Sequence, residues 1–185
     1  MRRPVATALL LILVIATSVQ WGVTLEANVT KARIMEADCQ QIARNSSLGI
    51  ELDAKSQPPR AVVHFSNRTG RDLWFPAEQS PSYRPDERAG TLTIWFGYFD
   101  EVYGPYRGRY MVPPMRMVPP DGTLDLEIKS PELVQKLAES GLVPQLLSRV
   151  ATKQLRESRT RGDQPLQDYL EHSCTIRSPG DARLK

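Results

Sequence analysis

The chain has few of the residues on which most catalytic and metal sites depend. Its 185 residues include only two cysteines and two histidines. There is no glycine-rich phosphate loop, no metalloprotease helix, no nucleophile elbow and no paired-cysteine metal motif. The only tight acidic pair beside the aromatic strand, Asp100 and Glu101, supplies too few oxygen ligands for calcium, which takes roughly six or more. The sequence therefore predicts a protein that is not an enzyme, with no catalytic residue, no metal site and no cofactor.

Charge of one sign is not in large excess either. Basic residues number 24 and acidic residues 21, which gives a net charge of +3 and an isoelectric point near 9.0. Such a mixed surface gives no argument for nucleic-acid binding, and no small-molecule substrate is evident. The length predicts one folded domain, large enough to bury a core without extra cross-links.

Long apolar runs are missing except at the start of the chain. Two arginines precede an uncharged run over residues 4–25, whose most apolar part is residues 8–19. A short basic start before an apolar core is typical of an export signal. The whole run is also long enough to span a bilayer, since about 20 residues suffice. Residues 1–25 are therefore predicted to be either a cleaved signal peptide or a signal-anchor transmembrane helix.

Both alternatives place the rest of the chain outside the cytoplasm. An uncleaved anchor would leave a single-pass protein on the periplasmic face of the inner membrane, with its N-terminus in the cytoplasm. Cleavage would leave a periplasmic or secreted protein. The arginine- and proline-rich, asparagine- and lysine-poor composition favours a bacterial source. Past the leader, a juxtamembrane helix is predicted over residues 26–45 because apolar residues recur at helical spacing: Val29, Ala32, Met35, Cys39 and Ile42.

Cys39 and Cys174 are the only cysteines. In an oxidising compartment such a pair usually forms a disulfide. Two separate free thiols are the alternative. The bond would close a loop of more than a hundred residues, to which the chain-entropy model assigns about 4–5 kcal/mol. We therefore predict a Cys39–Cys174 disulfide.

Asparagine is also scarce, and all three asparagines occupy Asn-X-Ser/Thr sequons. In a source that glycosylates, these residues would be modified surface positions. In a bacterial source the sequons would be chemically silent. The three are Asn28, Asn45 and Asn67.

Alternation of apolar and polar residues predicts a β region over residues 46–129. Turn-forming residues separate the strands. Five or six short strands, each with one polar face, are typical of an antiparallel sandwich. Over about residues 48–129, the order of strands and turns resembles the first half of many exported immunoglobulin-like domains. The resemblance is architectural, and no functional residue transfers from it. The predicted strands begin at Ile50, Ala61, Asp72, Thr91 and Thr123.

A C-terminal helical pair is predicted within residues 130–177, packing on the sandwich. Ser130 and Pro131 form a helix start, and Gly141 ends that helix. A second helix is predicted from about Pro144, because four apolar residues follow helical spacing: Val143, Leu146, Leu147 and Val150. A helical turn near residue 170 and a strand near residue 175 follow, and residues 178–185 are predicted to be a disordered tail.

The segment from Gly97 to Pro120 is unusual in its aromatic, methionine and proline content. Such side chains are enriched in contact surfaces, which predicts a docking ridge for a protein or peptide. The alternative is a long hairpin whose rings pack over the sandwich and whose prolines protect an exposed edge. The predicted partner-binding residues are Tyr103, Tyr106, Arg107, Arg109, Tyr110 and Met111.

These patterns predict a non-enzymatic, exported or membrane-anchored envelope protein whose β-sandwich binds or assembles with a protein partner. Residues 4–25 would contact the membrane if uncleaved. A periplasmic inhibitor or immunity-type protein, acting through the same segment, is one alternative. The other is a hydrolase with an unrecognised site, which would need a concave pocket that collects His172, Asp168 and either Asp100 or Glu101.

Overall fold

A computed structural model describes residues 31–103, 112–155 and 163–179. The predicted leader over residues 1–25 lies outside this range, as does the tail beyond residue 179. The described residues divide into two compact units, with the boundary between residues 40 and 41. No helix within the described ranges has the length and apolar character that a membrane span requires.

The fold is mainly β, with two sheets, as the alternating patterns predict. The elements in chain order are α1 (residues 31–44), β1 (Ser46–Asp53), β2 (Arg60–Asn67), β3 (Leu73–Pro76), β4 (Ser82–Asp86), β5 (Thr91–Phe96), α2 (Asp100–Tyr103), β6 (Met115–Val118), β7 (Thr123–Glu127), α3 (Pro131–Glu139), β8 (Val143–Ala151), α4 (Asp163–Glu171) and β9 (Ser173–Arg177).

The smaller sheet, sheet A, contains three antiparallel strands in the order β1-β2-β7. Successive side chains of a strand point to opposite faces, and here one face is apolar and the other polar. The apolar face is buried and consists of Leu48, Ile50, Leu52, Ala61, Val63, Phe65 and Leu126.

The larger sheet, sheet B, has the order β4-β5-β8-β3-β6, and β9 also pairs with β8. β8 runs parallel to β5 and antiparallel to β9, so it lies inside the sheet. The buried faces of the two sheets meet through aromatic rings. Phe65 of β2 stacks on Phe75 of β3 with ring centroids 5.0 Å apart, and Phe75 contacts Phe96 of β5 at 5.7 Å.

The prediction of a second C-terminal helix from Pro144 is wrong, because these residues form β8. Their apolar spacing also fits a strand whose buried face contains Leu146, Ser148 and Val150. Hydrogen bonding to strands on both sides stabilises the extended form, and a short apolar run does not distinguish the two structures by periodicity alone. The C-terminal region therefore contains two separate helices, α3 and α4, with β8 between them.

The first C-terminal helix begins at the position that its capping residues predict. The Ser130 Oγ accepts a hydrogen bond from the Leu133 amide at 3.4 Å, and Pro131 is the first helical residue. Gly141 follows the helix with φ of +65°, a conformation that glycine adopts without a side-chain clash. Leu133, Val134 and Leu137 form the buried stripe.

A second apolar cluster covers part of the outer face of sheet B. Leu166 and Tyr169 of α4 are buried against Ala151, at the end of β8. The Tyr169 hydroxyl donates a hydrogen bond to the Arg149 carbonyl at 3.0 Å. α4, which connects β8 to β9 in the chain, therefore packs on the outer face of the sheet. The cluster consists of Tyr98, Val112, Ala151, Leu155, Leu166 and Tyr169, with Trp74, Met115 and Leu170 packed against it.

Candidate binding surface

The six predicted partner-binding residues lie at the edge of the described structure or beyond it. Tyr103 is the last residue of α2. Tyr106, Arg107, Arg109, Tyr110 and Met111 fall outside the described residues. Their role stays a prediction, and the structure describes only the two ends of the segment that carries them.

Both ends of this segment are anchored in the second apolar cluster. Tyr98 precedes the segment and is completely buried, while its hydroxyl donates to the Asp100 carboxylate at 2.9 Å. Val112 follows the segment and is 3% exposed, in the same cluster as Tyr98. Phe99 is also buried. The rings of Tyr98 and Phe99 therefore belong to the core.

The upstream anchor depends on a glycine that has no room for a side chain. Gly97 has φ of +91°, and a Cβ atom there would meet the Tyr169 hydroxyl of α4. The Gly97 amide donates a hydrogen bond to the Glu78 carboxylate at 3.1 Å. Burial raises the pKa of Glu78 above its ordinary value, and the hydrogen bond from Gly97 only partly opposes this effect.

The downstream flank is the short edge strand β6. Proline pairs enclose it on both sides, at residues 113–114 and 119–120. Proline cannot donate a hydrogen bond to a neighbouring strand, so these pairs limit strand addition at this edge. Met117 is 54% exposed and lies directly opposite the partly buried Trp74 of β3. A partner that reaches this edge would contact side chains rather than extend the sheet.

The residues of the hydrolase alternative come together only in part. The Asp168 carboxylate lies 3.6 Å from His172 Nε2, but it also accepts from Lys153 Nζ at 2.8 Å. All three side chains are about 40% exposed. Asp100 instead accepts from the Tyr98 hydroxyl, and the Glu101 side chain lies outside the described part of the structure. The described arrangement orients an imidazole near a carboxylate that Lys153 shares, and the nearby Thr152 hydroxyl donates to the His172 carbonyl at 3.1 Å.

His64 occupies the outer face of sheet A, on the polar side of β2 where the alternation predicts it. Its Nδ1 lies 2.7 Å from the Asp125 carboxylate, and its Nε2 lies 3.5 Å from Glu51. The three side chains come from three neighbouring strands and are all substantially exposed. Within the part of the chain that the structure describes, no group of three or more His, Cys, Asp or Glu residues could hold a metal ion.

The predicted disulfide is confirmed, since Cys39 and Cys174 are joined. Cys174 consequently has no thiolate to offer His172, two residues before it. Cys174 itself is 4% exposed, within β9.

Asn67 does not fit the alternative in which the sequons are modified surface positions, because its side chain is completely buried. Its amide nitrogen donates to the carbonyls of Arg71, Val118 and Pro119 at 2.8, 2.9 and 3.1 Å. Its amide oxygen accepts from the backbone amide and the hydroxyl of Thr69. The third sequon is therefore a structural turn that ties the end of β2 to the end of β6. An asparagine at a strand end, with Thr two residues later and Gly three residues later, is the local signal for such a turn.

A hollow of about 290 Å³ lies on the exposed side of α3. All of its lining residues come from this one helix and its C-terminal cap, so it is an open depression with no convergent polar groups from other elements. The residues are Glu132, Gln135, Lys136, Glu139 and Ser140.

No protein-family model matches this chain, and no curated protein or solved structure is significantly similar to it. Its function therefore has to be argued from its own residues.

Proposed function

We propose that this chain is an exported or membrane-anchored envelope protein that binds or assembles with a protein partner and performs no chemistry of its own. The Cys39–Cys174 disulfide supports the compartment, because such bonds persist in oxidising environments and are rare in the cytosol. The uncharged run over residues 4–25 would deliver the chain there. On this proposal the domain faces the periplasm.

The observation that carries the binding role is the pair of anchors around the aromatic segment. Tyr98 and Val112 are buried in one cluster, so both flanks of the aromatic segment are held by the same part of the core. Loops that are held at both ends by a rigid scaffold are common carriers of binding residues. The residues between these anchors include three tyrosines and two arginines but no acid after Glu101. Tyrosine and arginine are enriched at the centres of protein interfaces.

The pairing order supports an immunoglobulin-like sandwich as the scaffold. In that fold the first, second, fifth and fourth strands share one sheet, and the third, sixth and seventh share the other. Sheet A has no counterpart of the fourth strand among the described residues. If β4, β5 and β6 are counted as insertions, β1-β2-β7 and β3-β8-β9 reproduce this order, with β3–β8 and β8–β9 antiparallel. The parallel pairing of β5 with β8 departs from it.

Photo-crosslinking in the cell envelope would test the binding role. A photoreactive residue at position 106 is expected to crosslink a discrete envelope protein, and the Arg107→Ala/Arg109→Ala change is expected to reduce the yield at least tenfold. A pull-down with Tyr106→Ala/Arg109→Ala should lose the same partner.

The matched control is Arg60→Ala/Arg88→Ala, which removes two exposed arginines elsewhere and should leave the crosslink unchanged. Circular dichroism and the oxidised mass of each variant verify folding and the disulfide. Recovery of the same partners by Tyr106→Ala/Arg109→Ala as by the native sequence would reject the assignment.

A further inference from the structure

The outer face of sheet A is acidic and has no covering helix or strand among the described residues. By register, its outward positions on β1, β2 and β7 carry four carboxylates against one arginine, a net charge of −3 for these five side chains. Val62 lies between Glu51 and Glu127. Open space surrounds Gly49 beside His64, since an added Cβ atom would meet nothing there. The charged residues are Glu51, Asp53, Asp125, Glu127 and Arg60.

The outer face of sheet B has the opposite sign. A row across four strands runs Ser82, Trp95, Leu147 and Arg177. The outward strand positions carry three arginines against Asp86 alone, a net charge of +2. Arg84 and Arg177 are exposed, whereas Arg149 is half-buried with its guanidinium over the Phe99 ring at 5.6 Å. Arg84 lies over the Trp95 ring at 5.5 Å.

α4 covers only one end of this face, where it packs on Ala151. The other end remains accessible. It contains the exposed Gln145 and Arg177 and also Val143, which is 43% exposed. A charged and partly apolar surface is therefore available on sheet B.

The two outer faces point in opposite directions, because the buried faces meet through Phe65 and Phe75. From this arrangement we propose that copies of the chain associate front to back, with the acidic face of sheet A against the arginine-bearing face of sheet B in the next copy. Charge complementarity selects a second copy as the occupant, since one chain carries both halves of the interface. Faces of opposite charge attract, and each face repels the same face of another copy.

Such a contact is heterologous, because different surfaces of each copy take part. A heterologous contact leaves one face of each sign unused at the two ends, so assemblies grow into rings or open chains. The contact is electrostatic and depends on ionic strength. The Debye length falls from about 30 Å at 0.01 M salt to about 3 Å at 1 M. This association is independent of the aromatic segment and of its partner.

Charge reversal on the two faces tests the proposal in the full-length protein. The acidic-face variant is Glu51→Lys/Glu127→Lys, and the basic-face variant is Gln145→Glu/Arg177→Glu. All four residues are exposed, so folding should be retained. Donor- and acceptor-labelled populations in a non-ionic detergent are mixed, and energy transfer between copies is measured at low and high salt.

The native protein is expected to show energy transfer at about 0.01 M salt that is lost near 1 M. Each variant alone should associate at least tenfold more weakly, because its two faces then have the same sign. A mixture of the two variants should regain transfer, since the arginine-bearing face of the first meets the acidic face of the second.

The matched control is Glu132→Lys/Glu139→Lys on α3, which changes the net charge by the same amount as the acidic-face variant at exposed positions. It should associate as the native protein does. Absence of salt-sensitive transfer in the native protein would overturn the proposal. So would association of the single variants at native strength, or a mixture that fails to regain transfer. Crosslinking through residue 106 would be unaffected in each case.

Discussion

Replacing the buried Asn67 with alanine should destabilise the fold far more than the same change at Asn45. Asn67 is the last residue of β2 and Val118 is the last residue of β6. One side-chain amide therefore connects sheet A to sheet B. Alanine would leave the Val118 carbonyl, which lies in a buried position, without its donor.

The magnitude follows from the hydrogen bonds. The amide has two N–H groups for three carbonyl acceptors, and its oxygen accepts twice from Thr69. Four bonds at about 1 kcal/mol each would give about 4 kcal/mol. Water can replace part of the Thr69 interaction, because Thr69 is only half-buried. We therefore expect Asn67→Ala to lower the free energy of unfolding by about 3 kcal/mol.

Asn45 is the matched control, since it is also an asparagine in a sequon. Its side chain is exposed and donates one hydrogen bond, to the Gln41 carbonyl at 3.1 Å. Its replacement should cost about 0.5 kcal/mol. Chemical denaturation measures the unfolding free energy of both variants, with comparison of the slopes of free energy against denaturant concentration. Of the two variants, only Asn67→Ala should lower the melting temperature by about 6–12 °C. A difference between the two variants below about 1 kcal/mol would refute the hydrogen-bond argument.

Three further predictions concern the buried carboxyl, the crowded glycine and the disulfide. Burial raises the pKa of Glu78 above 4.5, so its stabilising contribution is present below that value and lost as the pH rises through the folded-state pKa. Glu78→Gln should therefore be more stable than the native protein at pH 7 and equally stable in acid. Denaturation at a series of pH values measures both differences. Gly97→Ala should lower stability more than Gly70→Ala. Both glycines have positive φ, but only a Cβ atom at position 97 would meet the Tyr169 hydroxyl. Equal melting temperatures for the two variants would contradict this. Cys39→Ser/Cys174→Ser opens a loop of about 135 residues and should lower the free energy of unfolding by about 5 kcal/mol in the chain-entropy model. A decrease below about 1 kcal/mol in calorimetry would show that the loop is constrained in other ways.

Local patterns predict much of the strand content because each such strand has one buried and one solvated face. Alternation around Ala61 and Thr91 identifies β2 and β5, and the pattern after Gly122 identifies β7. The helix start at Ser130 is equally local, since a cap and a proline act within one turn. The disulfide follows from counting, because two cysteines allow one intramolecular pairing.

Sequence patterns predict the binding surface less well than they predict the strands. The aromatic and methionine content of residues 97–120 marks the segment but does not separate core rings from contact rings. Tyr98 and Phe99 are buried, whereas Met117 is more than half exposed. The difference depends on α4, which comes from much later in the chain and covers one end of the segment.

By itself the sequence determines the apolar run over residues 4–25, the alternating strands, the capped helix and the single pair of cysteines, because each depends on residues close together or on composition. Only the tertiary structure decides that Val143–Ala151 is a strand, that Asn67 is an internal connector and that the two outer faces differ in charge. Strand neighbours supply the hydrogen bonds that favour β8 over a helix. Carbonyl groups some fifty residues away complete the partners of Asn67. Interactions between distant parts of the chain exist only once the chain has folded, so no local pattern reports them.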